Sequence, residues 1–360
     1  MNMIDILKDY GWDDYFENQW IKKAPKNMNP ARVIADYGQK LRVISPKGEM
    51  LVNRPLGKHE YEMQVAVGDW LALEAGHERQ ESIISFVLDR KSKFSRAAAG
   101  REVKEQIVAA NVDTVFLIQS LNKDFNIRRL ERYMIAAWDS GAMPIVVLTK
   151  SDLCDNLAEK ISIVSTTCPG VDIHVISCVT GEGIDEIKKY FSPGKTVALL
   201  GSSGVGKSTL VNTLAGKELL QTKEIREGDD RGRHTTTHRE LFLLPDGGLI
   251  VDTPGMRTLA LWEADTGIDI VFGDIEELAK QCRFHDCRHN KEPGCAVKEA
   301  LRSGKLEYKR WQSWLKLQKE LAHIEAKKEV KEQLIEKRWS RQVKKNHNSK
   351  YSAVNWLDMN

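Results

Sequence analysis

Between Ala31 and Asp89 the apolar positions come in short runs, ARVIADYG, KLRVIS, GEMLVNR, MQVAVGDWLALEA and ESIISFVLD, partly alternating and divided by Gly, Pro and Asn. Alternation with a period of two marks strands with one buried face, and several such strands in close succession predict a small all-β unit. Five strands in this length have the size of an OB-type barrel, although an SH3-like barrel or a small sandwich fits the same pattern. Residues 1–29 mix aromatic and acidic residues and end in KNMNP, which predicts a short helix and a linker.

After a basic connector, DRKSKFSRAAAGREVKEQ, the period changes. Apolar strands are predicted at VDTVFLIQS (112–120), MPIVVLTK (143–150), DIHVISC (172–178), KTVALLG (195–201), RELFLLP (239–245) and GLIVDT (248–253), with helical stretches such as IRRLERYMIAAWDSG between most of them. Strands that alternate with helices predict an α/β domain with a mainly parallel sheet, whose ligands bind at the carboxyl ends of the strands. From about residue 270 the chain reads as helices and a Cys/His cluster. Trp314, Leu317, Leu321 and Ile324 share one face of a helix there, a stripe that packs on the rest of the domain. The expected division is an extension (1–29), a barrel (30–95), an α/β domain (96–270) and a helical metal-binding domain with a basic tail (271–360).

The chain has 360 residues, 41% of them hydrophobic and 29% charged, in the range of globular proteins. Its acidic N-terminus does not read as a signal peptide, and no apolar run approaches the roughly 18 residues of a membrane helix. A cytoplasmic protein without a membrane partner is expected. The net charge of +3 conceals an asymmetry: Lys298 to Lys350 holds 16 Lys and Arg against 7 Glu, a balance of +9 that leaves the rest at −6. A polyanion would dock on that basic part.

The loop GSSGVGKST supplies Gly201, Ser202, Ser203, Gly204, Val205, Gly206, Lys207, Ser208 and Thr209 between a strand and a helix. Its glycines allow a turn that aims backbone N–H groups at phosphate oxygens, Lys207 suits the β and γ phosphates, and the Ser208 hydroxyl suits Mg²⁺. Downstream, VDTPG offers Asp252 for Mg²⁺ through water and the Gly255 N–H for the γ phosphate. Between them, TKEIREGDDRGRHTTTHRE has few apolar anchors and reads as a switch, with one of Thr235, Thr236 and Thr237 expected to close on Mg²⁺. Upstream, VVLTKSDL ends a strand with Thr149, Lys150, Ser151 and Asp152. The Asp152 carboxylate can accept from guanine N1 and N2, a donor pair adenine lacks, and the Lys150 stem can cover the ring. VISCVTGEGI places Ser177 and Cys178 at the next strand end, suited to a backbone contact with guanine O6. The base-reading motifs therefore precede the phosphate loop, the order of a circularly permuted GTPase sheet.

Cys154, Cys168 and Cys178 lie apart and read as ordinary small residues, whereas CRFHDCRHNKEPGC gathers Cys282, Cys287 and Cys295 with His289, and His285 as a further possible ligand. Three thiolates and an imidazole make a closed tetrahedral shell suited to one structural Zn²⁺. The basic Arg283, Arg288, Lys291 and Lys298 and the tail with Trp311, Trp314 and Trp339 would offer RNA phosphates and bases a surface.

The permuted order, the preceding barrel with VGDW (67–70), the segment RGRHTTTHREL (231–241) and the trailing Cys/His cluster together resemble the RsgA/YjeQ family of small ribosomal subunit biogenesis GTPases. The resemblance runs from about Ala31 to about Ala300. It implies an OB barrel, a permuted GTPase domain and a zinc domain with His289 as the fourth ligand. It also implies GTP hydrolysis to GDP and phosphate, stimulated by the small ribosomal subunit and its 16S-type rRNA. A monomer is expected. Many GTPases carry a Gln after the Asp-x-x-Gly glycine, whereas Met256 and Arg257 follow here, so slow intrinsic hydrolysis is expected. By resemblance His234 positions the water. Thr149 stands where the family usually has Asn, which implies a looser but not lost guanine contact. Two other classes share the phosphate loop: a small-molecule kinase, which has no use for TKSD or DTPG, and an RNA-binding module with a structural nucleotide.

Overall fold

A computed structural model of the chain describes residues 5–25, 27–55, 63–74, 82–97, 105–220, 239–252, 265–330 and 333. Five antiparallel strands form the N-terminal β unit: β1 (Met28–Asp36), β2 (Lys40–Ser45), β3 (Gly48–Asn53), β4 (Trp70–Glu74) and β5 (Ile83–Val87). β1 pairs with β4 along its first half and with β2 along its second, its register shifting between Val33 and Ala35. A strand that changes partners in this way curls the sheet, as a barrel requires. Val33, Leu41, Val43, Val52, Leu71 and Leu73 fill the interior.

The α/β domain contributes β8 (Thr114–Ser120), β9 (Met143–Thr149), β10 (Ile173–Ile176), β11 (Thr196–Leu200), β12 (Arg239–Leu243) and β13 (Leu249–Asp252). Their spatial order is β10-β9-β8-β11-β13-β12, parallel throughout except for β12. β8 is buried at every position, as a central strand covered on both faces must be. The sheet does not end at β12. Glu240 and Arg239 pair with Ala35 and Asp36 of β1, so barrel and α/β sheet form one 11-stranded sheet. Arg42 of β2 forms an ion pair with Glu240 across this junction.

The stretch expected as a basic connector is instead an antiparallel ribbon, β6 (Lys93–Ala97) with β7 (Glu105–Ala110). The described part of residues 1–29 also departs from a helix and linker. α1 (Asp5–Asp9) and α2 (Asp14–Lys23) lay Leu7, Trp12 and Phe16 against Trp70 and Leu88, with Trp12 edge-on to Trp70 at 4.8 Å between centroids. Gly68 precedes this tryptophan by two residues. Its φ is 92°, and a Cβ there would stand 2.0 Å from the Ala110 carbonyl oxygen, so only glycine fits.

α3 (Ile127–Ser140) and α4 (Leu157–Thr167) follow β8 and β9, α5 (Ile184–Lys188) follows β10, and α6 (Lys207–Ala215) follows β11. α7 (Asp265–Val271) crosses α3 at Gly267, where a Cβ would meet the Ile135 carbonyl oxygen at 2.5 Å. α8 (Gly273–Lys280), α9 (Ala296–Arg302) and a long α10 (308–330) complete the described chain. In α10, Leu317 is buried and Trp314 and Leu321 pack on the same core as the stripe required, whereas Ile324, its last member, is only half-buried. Arg310 of α10 donates to the buried Glu131 of α3 at 2.9 Å and to Asp274 of α8 at 2.7 Å, fixing α10 across both helices.

Candidate nucleotide site and metal centre

Because β8, β9, β10 and β11 run parallel, the loops that follow them open at one end of the sheet. The Thr149 hydroxyl donates to the Val205 carbonyl at 2.6 Å, and Lys150 Nζ donates to the Gly204 carbonyl at 2.8 Å. Lys150 adopts a left-handed conformation, φ 61°, that turns the chain sharply off β9 into the short helical turn Ser151–Leu153. Asp152, in that turn, accepts from the Ser177 hydroxyl at 2.6 Å. Ser177 is fully buried, and its oxygen also accepts the N–H groups of Val179 and Thr180. The Asp152 carboxylate is thus held from the neighbouring strand end. Ser151 donates to Glu182 at 3.0 Å, tying the same two loops together a second time. Cys178 is half-buried, and burial raises its thiol pKa, with Asp152 adding to the effect.

Gly204 and Gly206 have φ of 77° and 99°, the left-handed values that wind the loop from Gly201 into α6. At Gly201 a Cβ would lie 2.8 Å from the Ile118 carbonyl oxygen. Val205 is buried and anchors the loop to the core, while Ser203 and Gly204 remain exposed at its mouth. Lys207 Nζ donates to the carbonyls of Gly201 and Ser202, both at 2.6 Å, which places the ammonium over the loop. Ser208 and Thr209 occupy the first turn of α6, whose N–H groups and dipole favour an anion. Asp252 ends β13, adjacent to β11. Its side chain, together with Gly255, His234, Thr235, Thr236 and Thr237, lies outside the described residues.

One residue beside this loop carried no signal in the sequence. Asp124, in the β8–α3 connection, accepts the Ser202 hydroxyl at 2.5 Å across 78 positions of chain. LNKDFN reads locally as an ordinary polar turn.

Cys282, Cys287, His289 and Cys295 bring one ligand atom each to within 4.8 Å of one another, and His285 is not among them. Cys282 Sγ and Cys295 Sγ are 3.9 Å apart, and His289 Nδ1 is 3.5 Å from each. A tetrahedral ion with metal–sulfur bonds of about 2.3 Å and a metal–nitrogen bond of about 2.0 Å spaces its ligands by about 3.8 and 3.5 Å, so the group fits such an ion. Burial lowers the His289 pKa and favours the neutral, ligating ring. Burial alone would raise the Cys282 thiol, but the N–H groups of Val297 and Ala296 hold it below its ordinary value. The His289 ring packs edge-on against Trp311, which stacks on Trp314 at 4.8 Å. These two tryptophans support the Cys/His group and are not exposed platforms.

Strand order and site together define the class: a circularly permuted P-loop GTPase. The family profile described as RsgA GTPase matches residues 87–262. The chain is 44% identical over 322 residues to small ribosomal subunit biogenesis GTPase RsgA 1 of Listeria innocua, covering 88% of this chain and 90% of the relative. It belongs to the RsgA GTPase family. RsgA 2 of Lactiplantibacillus plantarum is 46% identical over 297 residues, covering 81% of this chain and 83% of that protein. A second profile, described as 50S ribosome-binding GTPase, matches 196–336, from β11 onward. The crystal structure of YjeQ from Thermotoga maritima aligns with a TM-score of 0.58 at 26% identity, over 82% of this chain and 99% of that one. YloQ, described as a circularly permuted GTPase, shares the fold at a TM-score of 0.55 and 23% identity, over 84% of this chain and 97% of its own. Among the described residues no helix is long and apolar enough to cross a membrane.

Proposed function

We propose that this chain is a cytoplasmic, monomeric GTPase that binds the small ribosomal subunit through 16S-type rRNA in late maturation and leaves it after hydrolysing GTP. The observation that carries the reading is the meeting, at one end of the sheet, of the loop from Gly201 to Thr209 with Thr149 and Lys150, two residues ahead of an Asp152 that Ser177 orients. The names of the relatives, which specify small-subunit biogenesis, support the choice of partner.

In this reading Asp152 accepts guanine N1 and N2, and the aliphatic stem of Lys150 covers the base. The backbone of Ser177 and Cys178 meets O6. The loop N–H groups and Lys207 hold the phosphates. Ser208 and Asp252 would hold Mg²⁺, which supplies charge neutralisation between the β and γ phosphates; one of Thr235, Thr236 and Thr237 would close on it, and the Gly255 N–H would meet the γ phosphate. His234 orients the attacking water in the subunit-bound state. Cys282, Cys287, His289 and Cys295 would hold one structural Zn²⁺, a closed shell with no position left for a reacting water. Basic residues around that group, Arg283, Arg288, Lys291 and Lys298, face rRNA phosphates.

GTP turnover measured alone, with purified small subunits, with large subunits and with whole ribosomes tests the proposal. Stimulation by small subunits and not by large ones is expected; equal stimulation by large subunits, or none, overturns it, as does tighter binding of ADP than of GDP. A His234→Ala chain is expected to lose most of the stimulated turnover, and full retention removes His234 from its role.

A further inference from the structure

We infer that Asp124 is a positioning residue of the nucleotide site, fixing the first residues of the phosphate loop through the Ser202 hydroxyl. The inference rests on the reading of Gly201 to Thr209 as the phosphate loop and assigns a residue outside the motif to it.

The Asp124 carboxylate is held from several directions. Its Oδ2 accepts Ser202 Oγ at 2.5 Å and Arg129 Nη2 at 2.8 Å, and Arg129 also donates to the Asp124 carbonyl. Arg129 is itself fixed in the first turn of α3, where its N–H donates to the capping side chain of Asn126 at 3.0 Å. The Asp124 N–H donates to Asn122 Oδ1 at 3.0 Å, and that oxygen also accepts Ser120 Oγ at 2.8 Å. The same connection reaches the base-reading strand, because the Leu121 N–H donates to the Thr149 carbonyl at 2.8 Å. One short loop therefore braces both halves of the site.

Ser202 is gripped at two points, its hydroxyl by Asp124 and its carbonyl by Lys207. When Lys207 turns to a nucleotide's phosphates it gives up the second grip, and Asp124 keeps the first. A carboxylate beside an anion site would ordinarily oppose binding, but Arg129 at 2.8 Å cancels most of its field at longer range. Position therefore outweighs charge. A charge-assisted hydrogen bond to a carboxylate is also stronger than a neutral one.

The test compares GDP affinity and the KM and kcat of GTP turnover in the full chain and its Asp124→Ala, Asp124→Asn, Ser202→Ala, double Asp124→Ala/Ser202→Ala and Lys207→Ala variants. Asp124→Ala is expected to raise Kd and KM about tenfold, equivalent to about 1.4 kcal/mol, with kcat changing less. Asp124→Asn keeps an acceptor for Ser202 and is expected to recover most of the loss. Ser202→Ala should match Asp124→Ala, and the double variant should be no worse than either, because one interaction is removed once. Wild-type affinity in Asp124→Ala, tighter binding in both Asp124 variants, or losses that multiply in the double variant overturns the inference. Ser202 is only half-buried, so Ser202→Ala tests the bond even if Asp124→Ala fails to fold. Lys207→Ala separates the two ideas: if it keeps full nucleotide binding, the phosphate-loop reading fails; if it loses binding while Asp124→Ala does not, only the inference fails.

Discussion

Thr149 shows how one hydroxyl can bridge two loops brought together from distant parts of the chain. It is 3% exposed, and its Oγ1 donates to the Val205 carbonyl at 2.6 Å. The looser guanine contact expected from Thr in place of the family's usual Asn is thus set against a bond that Thr makes well. Valine has nearly the same shape but no donor. Thr149→Val is expected to leave the Val205 carbonyl unpaired, at a cost of about 1–3 kcal/mol to the loop-to-loop contact. Titration with a fluorescent GDP analogue should show affinity reduced about tenfold, while unchanged affinity would mean that the hydroxyl has no part in the site.

Among the elements, the segment of the Cys/His group has the simplest local logic. α9 opens directly after Cys295, and the His289 ring lies against Trp311 of α10. The ligand group therefore ties the start of α9 to the Trp311 face of α10, beside the buried Val297 and Ala300. If the group holds an ion, a chelator is expected to shift tryptophan emission towards the red as Trp311 gains water, and one equivalent of Zn²⁺ per chain should restore it. An emission spectrum indifferent to both additions would exclude a resident ion. Most of these elements were legible in the sequence because their signals are local: alternation for β1 to β5, buried runs for β8 to β11, and glycine spacing for the turn from β11 into α6. The β6–β7 ribbon was not, because Lys93, Ser95 and Arg96 interrupt its apolar positions and hide the alternation. Asp124 was hidden for a different reason. Its meaning lies in a partner 78 positions away, and nothing in the turn itself points there.

In the whole molecule, the units expected as successive domains share one hydrogen-bonded frame. Arg32 of β1, 1% exposed, shows this most directly. Its guanidinium donates to the carbonyl of Tyr10 in the extension, of Gly68 in the barrel and of Asn111 before β8, and to the Thr196 hydroxyl at the start of β11. Burial lowers its pKa to about 10, with Asp113 and Asp69 opposing that shift through their charge. Arg32→Leu is expected to strand these acceptors together and cost about 3 kcal/mol or more. Thermal melts followed by tryptophan fluorescence should show the loss, and an unaltered melting temperature would mean that the junction relaxes around the substitution. The pairing of β1 with β12 carries a consequence of another kind. Without the barrel, β12 would present an unpaired row of N–H and C=O groups beside the nucleotide site, the kind of open border on which copies of a chain add to one another and aggregate. β1 pairs with that border at Glu240 and Arg239, so the barrel shortens the edge that the α/β sheet would otherwise leave open.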